Sequence, residues 1–276
     1  MIQDIAPHKL HNEFIPDRSA GPDDQVFVFD GNQCLVKIDA GQLILPTVSL
    51  LDAGEYTYLF AVDDDTYYRA APPVVKAPEG FEFMKLYNIR RAGTGPLEKM
   101  FALYTAYHLD KWYKESSYCG RCGHSTGHSA VERAMVCPVC GNIIYPRINP
   151  AVIVGIRNGD KMLVTKYANR DNVPYYALVA GFAEIGETLE ETVAREVYEE
   201  VGLRVKNITY YKSQPWGTAA DILVGFYCDV DGDDTVNLDK NELKEAMWVT
   251  SEEIELQPDG YSLTNDMMTR FKLGLN

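Results

Sequence analysis

The chain has no apolar run approaching the roughly 18 residues that a membrane-spanning helix requires. Its first residues, Met1 to Leu10, have neither the basic start nor the hydrophobic centre of a targeting segment. No membrane partner and a cytoplasmic location are the corresponding expectations. Basic residues are scarce, 26 Lys and Arg against 40 Asp and Glu, for a net charge of −14. Such an excess repels phosphate polymers, so no stable nucleic-acid partner is expected unless basic residues concentrate locally or metals intervene. Cysteine is also sparse, six in 276 residues, and four of the six fall in two close pairs. That grouping points to metal rather than to a disulfide framework. What is present is ordinary for a globular protein: 46% hydrophobic and 24% charged residues exclude global disorder and collagen-like or mucin-like chains. At roughly 150 residues per domain, the length corresponds to about two domains.

Residues 1–113 read as a small β-rich domain with a connecting helix. Short apolar runs alternate with turns: Val26 to Phe29, Cys34 to Ile38, Leu43 to Leu45, Tyr56 to Val62 and Tyr67 to Ala71. Asp63-Asp64-Asp65 lies between two such runs and reads as a solvated turn, not a cation site. From Pro96, expected as a first-turn residue, the spacing becomes helical: Leu97, Met100, Phe101, Tyr104, His108 and Trp112 recur at intervals of three and four. This aromatic stripe is a core face leading into Cys119.

Residues 114–148 carry Cys119-Gly-Arg-Cys122 and Cys137-Pro-Val-Cys140, with 123–136 between them. Two such knuckles place four thiolates around one tetrahedral ion and leave no position open for water, the pattern of a structural zinc ribbon. The ion supplies folding energy to a segment too small for its own core. His124 and His128 are then surface residues, and Cys34 and Cys228 buried thiols.

Residues 149–276 have the pattern of an enzyme domain. A strand over Ala151 to Ile156, a turn at Asn158-Gly159-Asp160 and a returning strand over Met162 to Lys166 precede an apolar run at Ala177 to Ala180. Gly181 to Leu203 then reads GFAEIGETLEETVAREVYEEVGL. Thr188 can cap a helix whose apolar positions, Leu189, Val193, Val197 and Val201, are four apart, and Gly202 ends it. At about 100° per residue, Glu196 and Glu200 lie within roughly 40° of each other at the edge of that apolar stripe. Glu190, Glu191 and Glu199 fit a wet helix face. Inward-facing carboxylates instead require a cation, and hard divalent ions such as Mg²⁺ or Mn²⁺ prefer carboxylate oxygens and substrate phosphates.

This stretch resembles the Nudix box at every specified position: Gly181, Glu187, Arg195, Glu196, Val197, Glu199, Glu200, Gly202 and Leu203. The resemblance implies an α+β fold, a Nudix αβα sandwich with a mixed β-sheet. It also implies hydrolysis of a nucleoside diphosphate derivative by water attack at phosphorus, assisted by divalent ions. Glu196, Glu199 and Glu200 would hold Mg²⁺ or Mn²⁺, while Arg195 and Glu187 would brace the loop and helix.

The order of modules, together with Tyr145-Pro146-Arg147, Leu178 to Phe182 and Ser213-Gln214-Pro215-Trp216, resembles the NAD(H) pyrophosphatase branch. That branch implies cleavage of NADH or NAD⁺ to nicotinamide mononucleotide and AMP, a homodimer, and NAD-capped RNA as a further substrate, although the acid excess argues against extensive contact with a transcript. It implies substrate contacts from Glu132, Tyr145, the backbone of Ala180, Phe182, Gln214, Pro215 and Trp216. Glu245 looks like an additional metal ligand, its other reading being a surface helix-cap acid. After SQPW the branch continues Pro-Phe-Pro-x-Ser, whereas this chain has Gly217-Thr218-Ala219-Ala220-Asp221, losing an aromatic and two prolines and gaining an acid. That departure keeps open hydrolysis of ADP-ribose or a dinucleoside polyphosphate. A non-catalytic nucleotide-sensing or nucleic-acid adaptor protein is a third reading, opposed by the intact box glutamates.

Overall fold

The computed structural model describes residues 1–51, 54–71, 76–93, 95–168 and 175–275. Two compact units emerge. One comprises residues 2–147 with 217–219, the other Met1, 148–216 and 220–276.

In the first unit, β1 (Leu10–His11), β2 (Gln25–Phe27), β3 (Phe29–Asp30), β4 (Gln33–Asp39), β5 (Gln42–Ile44), β6 (Tyr56–Val62), β7 (Asp65–Ala70) and β8 (Glu82–Lys85) form two small sheets. Their orders are β1-β6-β7-β2, and β3-β4-β5 with β8 on the free edge of β4. The runs read from the sequence are these strands, shifted by a residue or two; their β-branched and aromatic residues suit a pleated strand, and β6 and β7 are buried along most of their length on both faces. Phe27, Phe60 and Tyr67 meet in the interior with ring centroids 5.4–5.5 Å apart. Asp65 belongs to β7 and not to the turn.

Two helices follow, α1 (Leu86–Arg91) and α2 (Leu97–Glu115). Pro96 is the N-cap of α2, one position earlier than expected, since its extended ψ of 167° lies outside the helix. Met100, Phe101, Tyr104 and Trp112 are buried on the core side of α2. Asp110 is buried among them and bonds Arg69 of β7 at 3.0 Å and Lys114 at 2.7 Å. A charge on the inner side of a helix is tolerable only because it is paired in this way.

Asp63 occupies the β6–β7 turn with φ +51° and accepts from His8 Nδ1 at 2.7 Å and from the Lys9 N–H at 2.9 Å. This ties the amino-terminal segment to the hairpin. The hydrogen bond raises His8 above 6.5 and lowers Asp63 below 3.8. The His8 contribution is complete below its unfolded value and vanishes as pH rises through its raised folded value. The Asp63 contribution is present above its unfolded value and vanishes as pH falls through its lowered one. The difference in melting midpoint between wild type and Asp63→Asn, which tolerates the positive φ, should therefore shrink as pH rises above 6.5.

The rest of the first unit is a three-stranded ribbon, β9 (Gly127–His128), β10 (Met135–Val136) and β11 (Ile143–Ile144), in the order β11-β10-β9.

The second unit is built on β12 (Asn149–Asn158), β13 (Lys161–Tyr167), β14 (Val179–Phe182), β15 (Val205–Trp216), β16 (Asp221–Val230) and β17 (Leu243–Thr250), with α3 (Leu189–Val201) and α4 (Leu263–Lys272). The sheet order is β15-β16-β12-β13-β17, with β14 also on β12. β12 and β16 are parallel and the other pairs antiparallel, so the sheet is mixed. Alternation along β12 and β16 decides which helix each residue meets. Val152, Val154, Val224 and Phe226 pack with Val193, Val197 and Val201 of α3, whereas Ile153 and Tyr227 pack with Leu263, Met267 and Phe271 of α4. A sheet apolar on both faces must be covered on both, and the result is an α/β/α sandwich.

Candidate active site and metal centre

The box helix is held at both ends. Thr188 accepts from the Glu191 N–H at 3.2 Å while Glu191 accepts from the Thr188 N–H at 2.8 Å, a reciprocal capping box. Gly202 closes the other end with φ +73°. Between them Arg195 makes five contacts. It bonds Glu187 through Nε at 2.6 Å and Nη2 at 2.9 Å, Glu196 at 2.7 Å and Glu199 at 2.9 Å through Nη1, and the Phe182 carbonyl at 2.9 Å through Nη2. The bidentate pair joins loop to helix, and hydrogen bonds from Arg195 hold Glu187 down to about 2.

Glu196 and Glu200 are buried, 9% and 2% exposed, while Glu199 is exposed. Burial raises Glu196. Burial, followed by the negative charges of Glu242 and Glu196, pushes Glu200 up to about 8 against a hydrogen bond from the Ala180 N–H. The Glu200 Oε2 is buried and has no hydrogen-bond partner. A bare carboxylate oxygen surrounded by other acids is unfavourable unless a cation or proton answers it. These residues therefore fit a hard divalent ion, with oxygen donors from Glu200 and Glu196 and further acids alongside.

Gly181 explains how Glu196 reaches this position. It stands on β14 opposite Val152, on the face toward α3, and a Cβ there would overlap the Glu196 carboxyl group. Gly181→Ala should leave the strands and helix intact by circular dichroism yet push Glu196 aside. A displacement of about 1 Å in a reacting group costs on the order of 10²-fold in kcat, and steady-state assays read it directly.

The other expected residues fall on several elements. Glu245 lies in β17, not at a helix cap, and faces Lys166 across the β13–β17 ladder at 3.2 Å. The acid of that tract whose charge reaches both Glu196 and Glu200 is Glu242, in the turn before β17. Spacing alone does not show which of two acids, three residues apart, lies near the box acids. Asp239 joins it, its N–H bonding the Glu200 carbonyl at 3.0 Å.

Phe182 is 51% exposed at the end of β14. Trp216 and Pro215 end β15. Gln214 is buried, its amide donating to the Tyr261 carbonyl at 2.8 Å and accepting from the Leu263 N–H at 2.7 Å, so it anchors the start of α4 instead of presenting a free amide. The Ala180 N–H is likewise engaged, by Glu200. Glu132 and Tyr145 meet each other in the first unit, the Tyr145 hydroxyl donating to Glu132 at 3.1 Å.

In the ribbon, each knuckle closes the same way. The Gly123 N–H bonds the Cys119 carbonyl at 2.8 Å and the Gly141 N–H bonds the Cys137 carbonyl at 3.0 Å, both glycines having positive φ. Cys119, Cys122, Cys137 and Cys140 bring their Sγ atoms within 4.8 Å of one another. The Sγ pairs 119–140 and 122–137 are 3.7 and 3.4 Å apart. A tetrahedral zinc with bonds of about 2.3 Å requires edges of roughly 3.8 Å, so the thiols fit that ion. Among the described residues, this is the set of three or more potential ligands whose donor atoms converge so closely.

Both segments match known domains. Residues 147–271 match the NUDIX domain, and residues 114–145 match the NADH pyrophosphatase zinc ribbon domain. The chain is 41% identical over 150 residues to the NAD-capped RNA hydrolase NudC of Enterobacter sp. (strain 638), covering 54% of this chain and 57% of that protein. It is 42% identical over 150 residues to the protein of the same description from Shigella dysenteriae serotype 1 (strain Sd197), covering 54% and 58%. The matches thus span just over half the length of these relatives. Among solved structures, a NUDIX hydrolase from Nitrosomonas europaea superposes with a TM-score of 0.50 at 23% identity, over 56% of this chain and 90% of that one, a likeness of fold. The chain therefore carries a Nudix domain preceded by the zinc ribbon domain of NADH pyrophosphatases.

Proposed function

We propose that this protein hydrolyses the pyrophosphate bond of NADH or NAD⁺, giving nicotinamide mononucleotide and AMP. The observation that carries the reading is the bare, buried Oε2 of Glu200 beside Glu196 on the box helix, in a chain whose ribbon matches that of NADH pyrophosphatases. Glu196, Glu199, Glu200 and Glu242 are the residues we assign to Mg²⁺ or Mn²⁺, with Glu242 taking the place first given to Glu245. When bound, a divalent ion supplies positive charge to the bridging phosphates and makes water more acidic. The chain's own residues do the rest. Arg195 and Glu187 fix the helix against the loop, Gly181 leaves room for Glu196, and Glu200 lies in a low-dielectric site where charge acts strongly.

Phe182 and Trp216 are assigned to the bases as flat apolar surfaces, and Glu132 with Tyr145 to polar contacts with the substrate. The exposed side chains of Phe182 and Ile185 favour a homodimer, which sedimentation will test, and we place the protein in the cytoplasm. NAD-capped RNA, the substrate in the relatives' description, enters as a second substrate with the same bond.

Incubation with NADH and Mn²⁺, resolved by HPLC, should yield both mononucleotides. Intact NADH together with consumed ADP-ribose or dinucleoside polyphosphate would transfer the assignment to another Nudix activity, the reading that the altered tract Gly217 to Asp221 favours.

A further inference from the structure

Arg195 commits its guanidinium to contacts within the box. The acids around it face a substrate that is itself an anion, so a cation with a hydrogen bond to spare has a large effect there. Lys166, near the end of β13, is such a cation. Its Nζ stands 3.2 Å from Glu245 across the ladder and 4.1 Å from the centroid of the Tyr176 ring. An ammonium carries three donors, and beyond Glu245 and Tyr176 this one has no partner among the described residues. The side chain is 28% exposed, so a ligand can reach it from solvent. Contacts with Tyr176 and then with Glu245 raise its pKa above 10.5 and keep it charged.

The topology places this ammonium at the end of the sheet that holds the site. β14 ends at Phe182 opposite Ala151, near the start of β12, and the box follows from there. β13 runs antiparallel to β12 and so finishes at that same end, where β17 starts with Leu243 opposite Tyr167. There the Ala168 N–H bonds the Glu242 carbonyl at 2.8 Å. Lys166 is thus two residues from the backbone contact of the acid whose charge reaches Glu196 and Glu200. The face is shared as well. Thr165 pairs with Ala177, so Lys166 meets Tyr176. Tyr176 and Ala180 pack on the α4 side, and exposed Phe182, two residues beyond Ala180, turns to that side too. The Ala180 N–H engages Glu200. Lys166 therefore lies on the side of the sheet that carries Phe182, at the edge of the acid cluster.

We infer that Lys166 is a substrate-binding residue whose Nζ donates a hydrogen bond to a non-bridging oxygen of the substrate's pyrophosphate, with Glu245 and Tyr176 aiming the ammonium. The inference rests on the pyrophosphate hydrolysis proposed above.

The test uses the full chain with Mn²⁺, takes NADH and ADP-ribose as probes, and compares Lys166→Met and Lys166→Arg with wild type. Lys166→Met nearly keeps the length of the side chain and removes its charge. It should lower kcat/KM about 10–100-fold, the worth of a hydrogen bond to a charged group, and by the same factor for every probe that wild type cleaves, because the pyrophosphate is common to them. Lys166→Arg keeps a cation that bonds phosphate and should restore part of the loss. The melting midpoint should barely move, since an exposed ion pair contributes little. Mn²⁺ affinity of substrate-free protein, read by electron paramagnetic resonance, should not weaken. Unchanged kcat/KM in Lys166→Met overturns the assignment, as does an equal loss in Lys166→Arg. A loss matched by weaker Mn²⁺ binding also overturns it, because the lysine would then serve the metal acids and not the phosphate. Wild-type protein that cleaves ADP-ribose but not NADH overturns the NADH reading alone, and the Lys166 contact is then decided on ADP-ribose. Wild-type protein that cleaves neither overturns both.

Discussion

Glu200→Gln should give a folded protein that no longer turns over NADH. Glu200 is 2% exposed with a bare carboxylate oxygen, and the amide that replaces it fills the same volume but cannot supply a negative ligand. Losing such a group from a preorganised electrostatic site costs on the order of 10²–10³-fold in kcat. Stability should move the other way. In metal-free protein the buried acid is a burden, so the midpoint of Glu200→Gln should equal or exceed that of wild type. Mn²⁺ separates the two further. An ion at 100 times its Kd stabilises the protein it binds by about 2.7 kcal/mol, an increment expected in wild type and absent in the variant. Undiminished hydrolysis in Glu200→Gln and in Glu196→Gln would show that the chemistry lies elsewhere.

Removing zinc should unfold the ribbon. Cys119 and Cys137 are buried, and the short strands β9, β10 and β11 are two residues each. Strands of this length cannot offset their conformational entropy by apolar burial. Apparent binding energies of about 10–16 kcal/mol for structural zinc are folding energy in such modules. Elemental analysis should find close to one zinc per chain. Cys137→Ser or a strong chelator should release it, and hydrogen exchange should then accelerate across residues 119–144. Full protection in zinc-free protein would sink this account.

The parts legible in the sequence are those fixed by contacts close along the chain. The interval of four between Val193, Val197 and Val201 can only place them on one side of a helix, and they are fully buried against the sheet. Thr188, Glu191 and Gly202 cap that helix through bonds spanning three or four residues. The cysteine knuckles are equally local. The paired charge of Arg69 and Asp110 was not legible, because its partners are 41 positions apart and meet only when β7 packs on α2. For the same reason spacing did not distinguish Glu242 from Glu245, whereas the β13–β17 register turned one toward Lys166 and left the other near the box acids.

The amino-acid sequence by itself determined the box helix, its inward acids, the four-thiol centre and the strand-rich first unit, since periodicity and spacing act within a few residues of chain. Tertiary structure alone decided that Gly181 makes room for Glu196, that Gln214 serves α4, and that one carboxylate oxygen of Asp221 is buried without a partner. Each of these depends on which strand lies beside which and on the face a residue takes there, and sheet register sets both only once the whole domain has closed.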